Sequence, residues 1–142
     1  MDIRPLDDSY AVSPQITPED IAAIAEACYT TVIDNRPDGE IPPELHAEVL
    51  RPALEAAGIS LVYNPVVGGA LGMDNVTAQR EAIDAASGKV LAYCASGNRS
   101  SIVWALALAG RRPTDELVAA GAQYGYQVPQ FRDMIEKLAA QG

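Results

Sequence analysis

The sequence predicts an α/β fold with a parallel-rich central sheet of about four to five strands, flanked by helices, in a single domain over residues 1–142. Three observations support this prediction. Strand-like and helix-like segments alternate along the chain, which is the order of a parallel sheet with helical crossovers. The segment Lys89–Tyr93 is nearly all apolar, as expected for a central parallel strand. A length of 142 residues, 49% of them hydrophobic, suits one compact core.

The first quarter of the chain predicts two short strands, a helix and a buried strand. The strands are Ile3–Leu6 and Tyr10–Ser13, joined by turn residues. Thr17–Asp20 is a helix start, with Pro at the first helical position and a capping-box arrangement. The apolar face of this helix is expected to include Cys28 as a core residue. The β-branched run Thr30–Ile33 predicts the next strand.

The middle of the chain predicts two helices around a strand. The helix Glu44–Ala57 contains Pro52, which should kink or divide it. The strand Ile59–Tyr63 follows, and a helix capped by Asp74 runs through Ala86.

The last part of the chain is predicted to be helical after Lys89–Tyr93. The helix Ser100–Ala109 is apolar nearly all round, which is typical of a buried central helix. Thr114 is expected to cap the next helix, and Pro129 to start the last one. The inward-facing residues predicted for the last helix are Phe131, Met134, Ile135 and Leu138.

The composition argues against several classes of function. The chain carries 10 Lys and Arg against 19 Asp and Glu, a formal net charge of −9. Nucleic acid and anionic membranes attract proteins of the opposite charge, so neither is expected as a partner. One His and two Cys do not suffice for a zinc site, and no metal or cofactor is expected. No signal peptide is visible, and the longest apolar stretch is too short for a bilayer, so a cytoplasmic location is expected.

Three loops follow predicted parallel strands and should meet at one edge of the sheet, where such sheets bind ligands. They come after Ile33, Tyr63 and Tyr93. The last of them carries the strongest chemical signal, between a buried strand and a buried helix. Its sequence is Cys94-Ala95-Ser96-Gly97-Asn98-Arg99-Ser100.

This loop has the composition of an oxyanion cradle with a nucleophile. A helix N-terminus presents free N–H groups to an anion, and Gly97 lets the backbone curl around it. Arg99 adds a planar fork suited to a bidentate oxyanion contact. Such donors also stabilise a thiolate on Cys94, and Ser100 can donate to it. Cys94 and Arg99 are therefore the candidate catalytic residues, and the candidate oxyanion-binding residues are Ala95, Ser96, Gly97, Asn98, Arg99 and Ser100.

The other two loops supply candidate pocket residues. The candidate pocket-lining residues are Asn35, Arg36, Val67 and Gly68. Arg36 could add a second anion contact or gate the pocket; alternatively, it fixes its own loop through Asp34 or Asp38. The pair Gly68-Gly69 either leaves room for substrate or forms a tight turn.

Four sequence blocks resemble one known family. They are Ser13–Thr17, Asn35–Glu40, Pro65–Gly69 and the Cys-x-Ser-Gly-x-Arg-Ser run that starts at Cys94. Together they are similar, over nearly the whole chain, to small bacterial phosphatase-like domains related to the N-terminal part of the beta-lactamase hydrolase-like proteins. The resemblance implies a cysteine-phosphatase-like fold similar to that of dual-specificity tyrosine phosphatases, with Cys94 as nucleophile and Arg99 as oxyanion clamp. Related sequences are also labelled sulfur transferases.

Two features depart from the phosphatases of that superfamily. Those enzymes have five residues between Cys and Arg, whereas Cys94 and Arg99 are separated by four, a loop length that resembles the persulfide-carrying single-domain rhodaneses. They also place an Asp general acid just past a Pro, where this chain has Val66 and Val67. General acids contribute roughly 10²–10⁴-fold, so a phosphatase without one should be slow on poor leaving groups.

The sequence therefore predicts a cysteine-dependent phosphatase that acts on a small phosphorylated substrate. Two alternatives stay open. One is a rhodanese-like sulfur transferase that forms a persulfide on Cys94 from a sulfur-bearing substrate. The other is a module that binds an oxyanion without catalysis.

Overall fold

The computed structural model describes residues 1–141, and within them the chain forms five strands and six α-helices. The strands are β1 (Arg4–Pro5), β2 (Tyr10–Ser13), β3 (Tyr29–Asp34), β4 (Ser60–Tyr63) and β5 (Lys89–Tyr93). The helices are α1 (Ile21–Glu26), α2 (Ala47–Ala56), α3 (Met73–Ala85), α4 (Asn98–Ala107), α5 (Thr114–Ala122) and α6 (Arg132–Gln141). Short 3₁₀ turns precede α1, α2 and α6.

The strands form one mixed sheet in the order β1-β2-β5-β3-β4, so the predicted α/β fold is confirmed. Only the short β1 pairs antiparallel, with β2, in this sheet of the described residues, and the other pairs are parallel. The apolar β5 lies at the centre, as its sequence predicted. Its last residue, Tyr93, is in register with Ser13, the last of β2, and with Asp34, the last of β3. The carboxyl ends of the parallel strands therefore lie side by side.

Each face of the sheet buries its own hydrophobic core. The strand residues Val12, Ile33 and Ala92 pack with α4 and the neighbouring helices on one face. The residues that alternate with them, among them Val32 and Leu91, pack with α1 and α2 on the other face. Helix α4 is buried from Ser100 to Ala107, because other helices cover the side that turns away from the sheet. This covered position explains a helix that is apolar nearly all round.

In the first half of the chain, one prediction is wrong and one of two alternatives is excluded. Cys28 is exposed rather than core, because α1 ends at Glu26 and Cys28 takes a left-handed conformation, φ 71°, that turns the chain into β3. Pro52 lies inside α2 without dividing it. Pro52 has no N–H to donate to the backbone carbonyl of Glu48. Because Glu48 is exposed, water can bond to that carbonyl instead. The chain breaks instead at His46, where ψ is 152°.

Two predicted caps are displaced by one or two residues. Gly72 occupies the N-cap of α3, and its N–H donates to the Asn75 side chain, so Asp74 lies exposed within the first turn. Pro113 caps α5, and Thr114 is the first helical residue. In the last helix, Ile135 is buried as predicted, but Met134 is 47% exposed. Among the described residues, no helix has the length and apolar character needed to cross a bilayer.

Candidate active site

The loop from Cys94 to Ser100 connects the central strand β5 to the buried helix α4. Cys94 is 1% exposed and follows directly after Tyr93. The Gly97 N–H donates to the Cys94 Sγ over 3.1 Å. Gly97 adopts φ 101°, and a Cβ there would overlap the Tyr126 hydroxyl, so this turn needs glycine. The fold thus directs a backbone donor at the sulfur.

The same loop holds several backbone donors in reserve. Within residues 1–141, the N–H groups of Ala95, Ser96, Arg99 and Ser100 have no hydrogen-bond partner. The last two belong to the first turn of α4, whose free N–H groups and dipole favour an anion. The Asn98 N–H is engaged by the Ser96 hydroxyl, 3.3 Å away. The arrangement has the unpaired donors that an oxyanion would need.

The Arg99 guanidinium is already oriented by protein partners. Its Nη1 donates to the Val66 carbonyl at 2.7 Å and to Glu40 at 2.8 Å, and its Nη2 donates to the other Glu40 oxygen at 2.8 Å. Of the five N–H donors of an arginine, the Nε–H and one Nη2–H are left, and these two form one edge of the fork. Glu40 thus positions Arg99 and leaves a bidentate edge free.

Glu40 and Arg99 stabilise each other's charged form. The hydrogen bond from Arg99 lowers the pKa of Glu40 below its ordinary range, and the hydrogen bond to Glu40 raises the pKa of Arg99. Glu40 was missed as a site residue by the sequence reasoning. Its only signal there was membership in the block Asn35–Glu40, because nothing in the sequence shows that this loop folds over α4.

Asn35 is a structural residue rather than a pocket-lining one. It is fully buried, and its amide donates to Asn64 and Gln79 over 2.9 Å each. Its oxygen accepts from the Ser100 hydroxyl at 2.9 Å and from Gln79. The Ser100 hydroxyl therefore donates its hydrogen bond to Asn35 and not to Cys94, so the predicted contact between Ser100 and the Cys94 sulfur is not formed. This network fixes the loop after β3 to the start of α4.

Arg36 holds its own loop and does not border the cavity next to Arg99. Its Nη1 donates to Gln15 at 3.3 Å and its Nε to Glu40 at 3.4 Å. Its backbone N–H donates to Asp34. These contacts favour the loop-fixing alternative, although the guanidinium meets Glu40 and not the predicted Asp34 or Asp38. Gln15 belongs to a fourth loop at the sheet edge, after β2, whose only signal in the sequence was the block Ser13–Thr17.

Tyr126, from the segment between α5 and α6, clamps the cradle from the other side. Its hydroxyl donates to the Ser96 carbonyl at 2.8 Å and accepts from Arg4 at 2.8 Å. The ring lies under the Arg4 guanidinium, 5.6 Å away. The sequence carried no signal for this role, because Tyr126 is 30 residues from Ser96 and follows a predicted helix as an ordinary apolar position.

A cavity of about 570 Å³ opens next to the cradle. Asn98 and Arg99 border it at the start of α4, and the segment 66–71 and the start of α6 form its walls. Val67 and Gly68 line it, whereas Asn35 and Arg36 do not. Gly69 needs its left-handed φ of 76°, so it serves the turn, while a Cβ at Gly68 would meet open space. Both glycines line the cavity, and Gly69 in addition makes the turn.

The three aspartates that end β3, follow it or begin α3, Asp34, Asp38 and Asp74, could supply a general acid only from the cavity wall, and none of them lines this cavity. Asp34 is fully buried on the face of β3 opposite the cavity, next to Tyr93, and burial raises its pKa to about 6. Asp38 accepts the Ala47 N–H at 3.1 Å, at the start of α2. Asp74 is exposed on α3. Among the described residues that line the cavity, none is acidic.

A buried cysteine at the end of a central parallel strand, a loop of free N–H groups and an arginine on the following helix are the arrangement expected of a phosphatase-like domain of the tyrosine-phosphatase-like fold. Residues 2–111 match the family model of the beta-lactamase hydrolase-like protein, phosphatase-like domain. The chain belongs to this family, which confirms the resemblance found in its sequence.

Individual relatives and solved structures are similar to this chain in sequence or in fold. A candidate phosphatase from Neisseria meningitidis is 31% identical, with a TM-score of 0.80, covering 97% of this chain and 99% of that one. The structure of Tk-PTP in its active form has a TM-score of 0.76 at 19% identity, covering 98% and 96%. The beta-lactamase hydrolase-like protein of Xylella fastidiosa (strain 9a5c) is 29% identical over 143 residues, 99% of this chain. This chain spans about a third of that relative's length, 33%.

Proposed function

We propose that this domain is a cysteine-dependent phosphatase, with Cys94 as nucleophile and Arg99 with the loop N–H groups as the oxyanion site. The observation that carries the proposal is the free Nε–Nη2 edge of Arg99 beside a buried cysteine that accepts a backbone hydrogen bond. The proposed oxyanion donors are the N–H groups of residues 95–100, of which four have no partner within residues 1–141. The family and fold assignments support the same chemistry.

The proposed reaction has two steps. The Cys94 thiolate attacks phosphorus and the P–O ester bond breaks, so a phosphocysteine forms and the alcohol leaves with a proton taken from solvent. Water then attacks the phosphocysteine, and the S–P bond breaks to give inorganic phosphate and the thiolate. The equatorial oxygens carry negative charge through both transition states, and fixed donors stabilise that charge.

A second candidate, a sulfur transferase with a persulfide on Cys94, is favoured by two observations. Only four residues separate Cys94 from Arg99, and the cavity beside them contains no acidic side chain in the described part of the chain. Transfer of a sulfur atom from thiosulfate to cyanide needs no protonated leaving group. The same site would therefore serve that chemistry without a general acid.

Parallel assays distinguish the two functions. Hydrolysis of p-nitrophenyl phosphate and thiosulfate:cyanide sulfur transfer are measured on the same preparation, with Cys94→Ser as the control. We expect phosphate release that is lost in Cys94→Ser, because an aryl phosphate has a good leaving group and turns over without an acid. Sulfur transfer without phosphate release would support the second candidate. Absence of both, with phosphate still bound, would support a non-catalytic oxyanion module.

A further inference from the structure

The cavity beside Arg99 has an unusual combination of size and charge. Its volume, about 570 Å³, lies within the range of small-molecule pockets. Apolar side chains make up most of its surface: Val66, Val67, Leu71, Ile102, Phe131 and Met134. The polar side chains besides Arg99 are the uncharged amides of Asn98, Gln127 and Gln130. Among the described residues that line it, Arg99 alone is charged.

Arg99 has little capacity beyond a single oxyanion. Three of its N–H donors are bound to Glu40 and to the Val66 carbonyl, and the remaining edge suits one phosphoryl group. A second phosphate in the cavity would meet no free cation, and the chain as a whole carries a net charge of −9. Burial of such an unpaired charge is unfavourable.

The rim of the cavity is also apolar. Val67 is 55% exposed and Met134 is 47% exposed, and both border the opening. These two side chains extend the apolar lining of the cavity to its exposed edge. An apolar group attached to a phosphate in the cradle would cover both.

We propose that this cavity is the leaving-group site and that it binds an uncharged, largely apolar leaving group. The cavity disfavours a leaving group that carries a second phosphate. The proposal rests on the proposed oxyanion site, because the phosphate must occupy the cradle for its substituent to enter the cavity. It adds a substrate class, the monophosphates of apolar or aromatic alcohols, as opposed to polyphosphorylated sugars or nucleotides. Any polar atoms of the alcohol can form hydrogen bonds with the amides of Asn98, Gln127 and Gln130.

Binding to the Cys94→Ser protein, measured by calorimetry, tests the proposal without turnover. The probes are methyl phosphate, phenyl phosphate, 1-naphthyl phosphate and benzene-1,4-diyl bisphosphate. We expect 1-naphthyl phosphate to bind roughly tenfold more tightly than methyl phosphate, which requires burial of only about 55 Å² of apolar surface at about 25 cal/mol per Å². The bisphosphate should bind more weakly than phenyl phosphate.

Substitutions at the rim make the test specific. In the Cys94→Ser background, Met134→Lys adds a cation at an exposed position and should reverse the preference against the bisphosphate. Val49→Lys is the matched control, because Val49 is 52% exposed on α2, across the sheet from the cavity, and it should change neither affinity. Phe131→Ala should weaken 1-naphthyl phosphate and leave methyl phosphate unchanged.

The outcomes separate the two proposals. Equal affinity for methyl and 1-naphthyl phosphate, or a bisphosphate that binds as tightly as phenyl phosphate, would overturn the leaving-group site while the phosphatase proposal stands. Failure of every probe to bind would overturn the oxyanion site, and the leaving-group site with it. Circular dichroism and thermal unfolding of each variant confirm that a changed affinity reflects the cavity and not the fold.

Discussion

At Arg99, the contact with Glu40 could either prepare the guanidinium or compete with the substrate. Each oxygen of Glu40 accepts one hydrogen bond from the Nη1–Nη2 end of the fork, and the free Nε–Nη2 edge indicates that the contact prepares the guanidinium. We therefore expect Glu40→Ala to lower kcat/KM on p-nitrophenyl phosphate by roughly tenfold or more, with Glu40→Gln intermediate. The stability change should stay within about 1 kcal/mol, because the pair is partly exposed.

The control for this prediction is Glu48→Ala. Glu48 forms a comparable ion pair with Arg51 on α2, away from the cradle, and its loss should leave activity unchanged. Calorimetric titration with inorganic phosphate completes the comparison. Tighter phosphate binding in Glu40→Ala than in the wild type would show that Glu40 competes with the oxyanion instead of positioning Arg99.

The two cysteines offer a second test at the residue scale. Cys94 is buried in the cradle with a backbone donor on its sulfur, whereas Cys28 is exposed and serves as an internal reference. We expect inorganic phosphate to slow iodoacetamide labelling of Cys94 several-fold and to leave Cys28 unaffected, and Arg99→Ala to abolish this protection. Mass spectrometry of the labelled peptides measures both rates. Protection of both cysteines, or of neither, would contradict an anion site at residues 94–100.

At the scale of elements, the end of β3 carries a titrating group that the site does not use. Burial raises the pKa of Asp34 from 3.8 to about 6, opposed by the Arg36 N–H that donates to its Oδ1. Its Oδ2 and the Tyr93 hydroxyl are buried without a hydrogen-bond partner within residues 1–141. Between pH 3.8 and about 6 the unfolded chain loses this proton and the folded chain keeps it, so stability falls as the pH rises through that window.

Replacing Asp34 by Asn should remove this dependence. The amide keeps an acceptor for the Arg36 N–H and cannot ionise. Relative to the wild type, Asp34→Asn should therefore gain roughly 2–3 kcal/mol in free energy of unfolding between pH 4 and pH 7, at about 1.36 kcal/mol for each pKa unit. Urea unfolding at several pH values provides the measurement. A difference between the two proteins that does not vary with pH would show that Asp34 is not the titrating group.

Elements whose signals are local were predictable, and those that depend on distant contacts were not. The bounds of β5 and the buried face of α4 follow from apolar runs, and both are confirmed. The N-cap of α3 is Gly72 and not Asp74, because the Asn75 side chain accepts a hydrogen bond from the Gly72 N–H. Cys28 is exposed and not in the core, because α1 ends at Glu26, two residues before it. Such shifts of one or two residues reverse a side chain's exposure.

At the scale of the whole molecule, the sheet edge was predictable and its cross-connections were not. Parallel register brings Asp34 and Tyr93 together, so loops after those strands had to meet. Two residues that complete the site lie far from the loop in sequence. Glu40 accepts a hydrogen bond from Arg99, and Tyr126, which follows α5, donates to the Ser96 carbonyl. Neither has a local motif, because each contact is defined only by how the loops pack. The loop from Cys94 to Ser100 could be named as the candidate site from the sequence, whereas the contacts that support it are visible only in the structure.

The last prediction concerns the cavity lining, which includes no acidic side chain among the described residues. Val67 is the position at which an acidic side chain can be introduced to test it. Val66 is buried, 3% exposed, and its carbonyl holds Arg99, so a carboxylate there would disturb the cradle. Val67 is exposed and lines the cavity where the leaving group would lie. The wild type should hydrolyse activated aryl phosphates and barely hydrolyse phosphoserine, with a steep dependence of rate on leaving-group pKa.

Val67→Asp should flatten that dependence and raise the rate on alkyl phosphates, up to the roughly 10²–10⁴-fold that general acids supply. The gain should disappear as the pH rises through the pKa of the new carboxyl, because only its protonated form donates. Val49→Asp is the matched control and should change nothing. Thiosulfate:cyanide transfer, if present, should be unaffected by Val67→Asp. A wild type that hydrolyses phosphoserine as readily as p-nitrophenyl phosphate, with no effect of Asp38→Asn or Asp74→Asn, would show that leaving-group protonation does not limit this site.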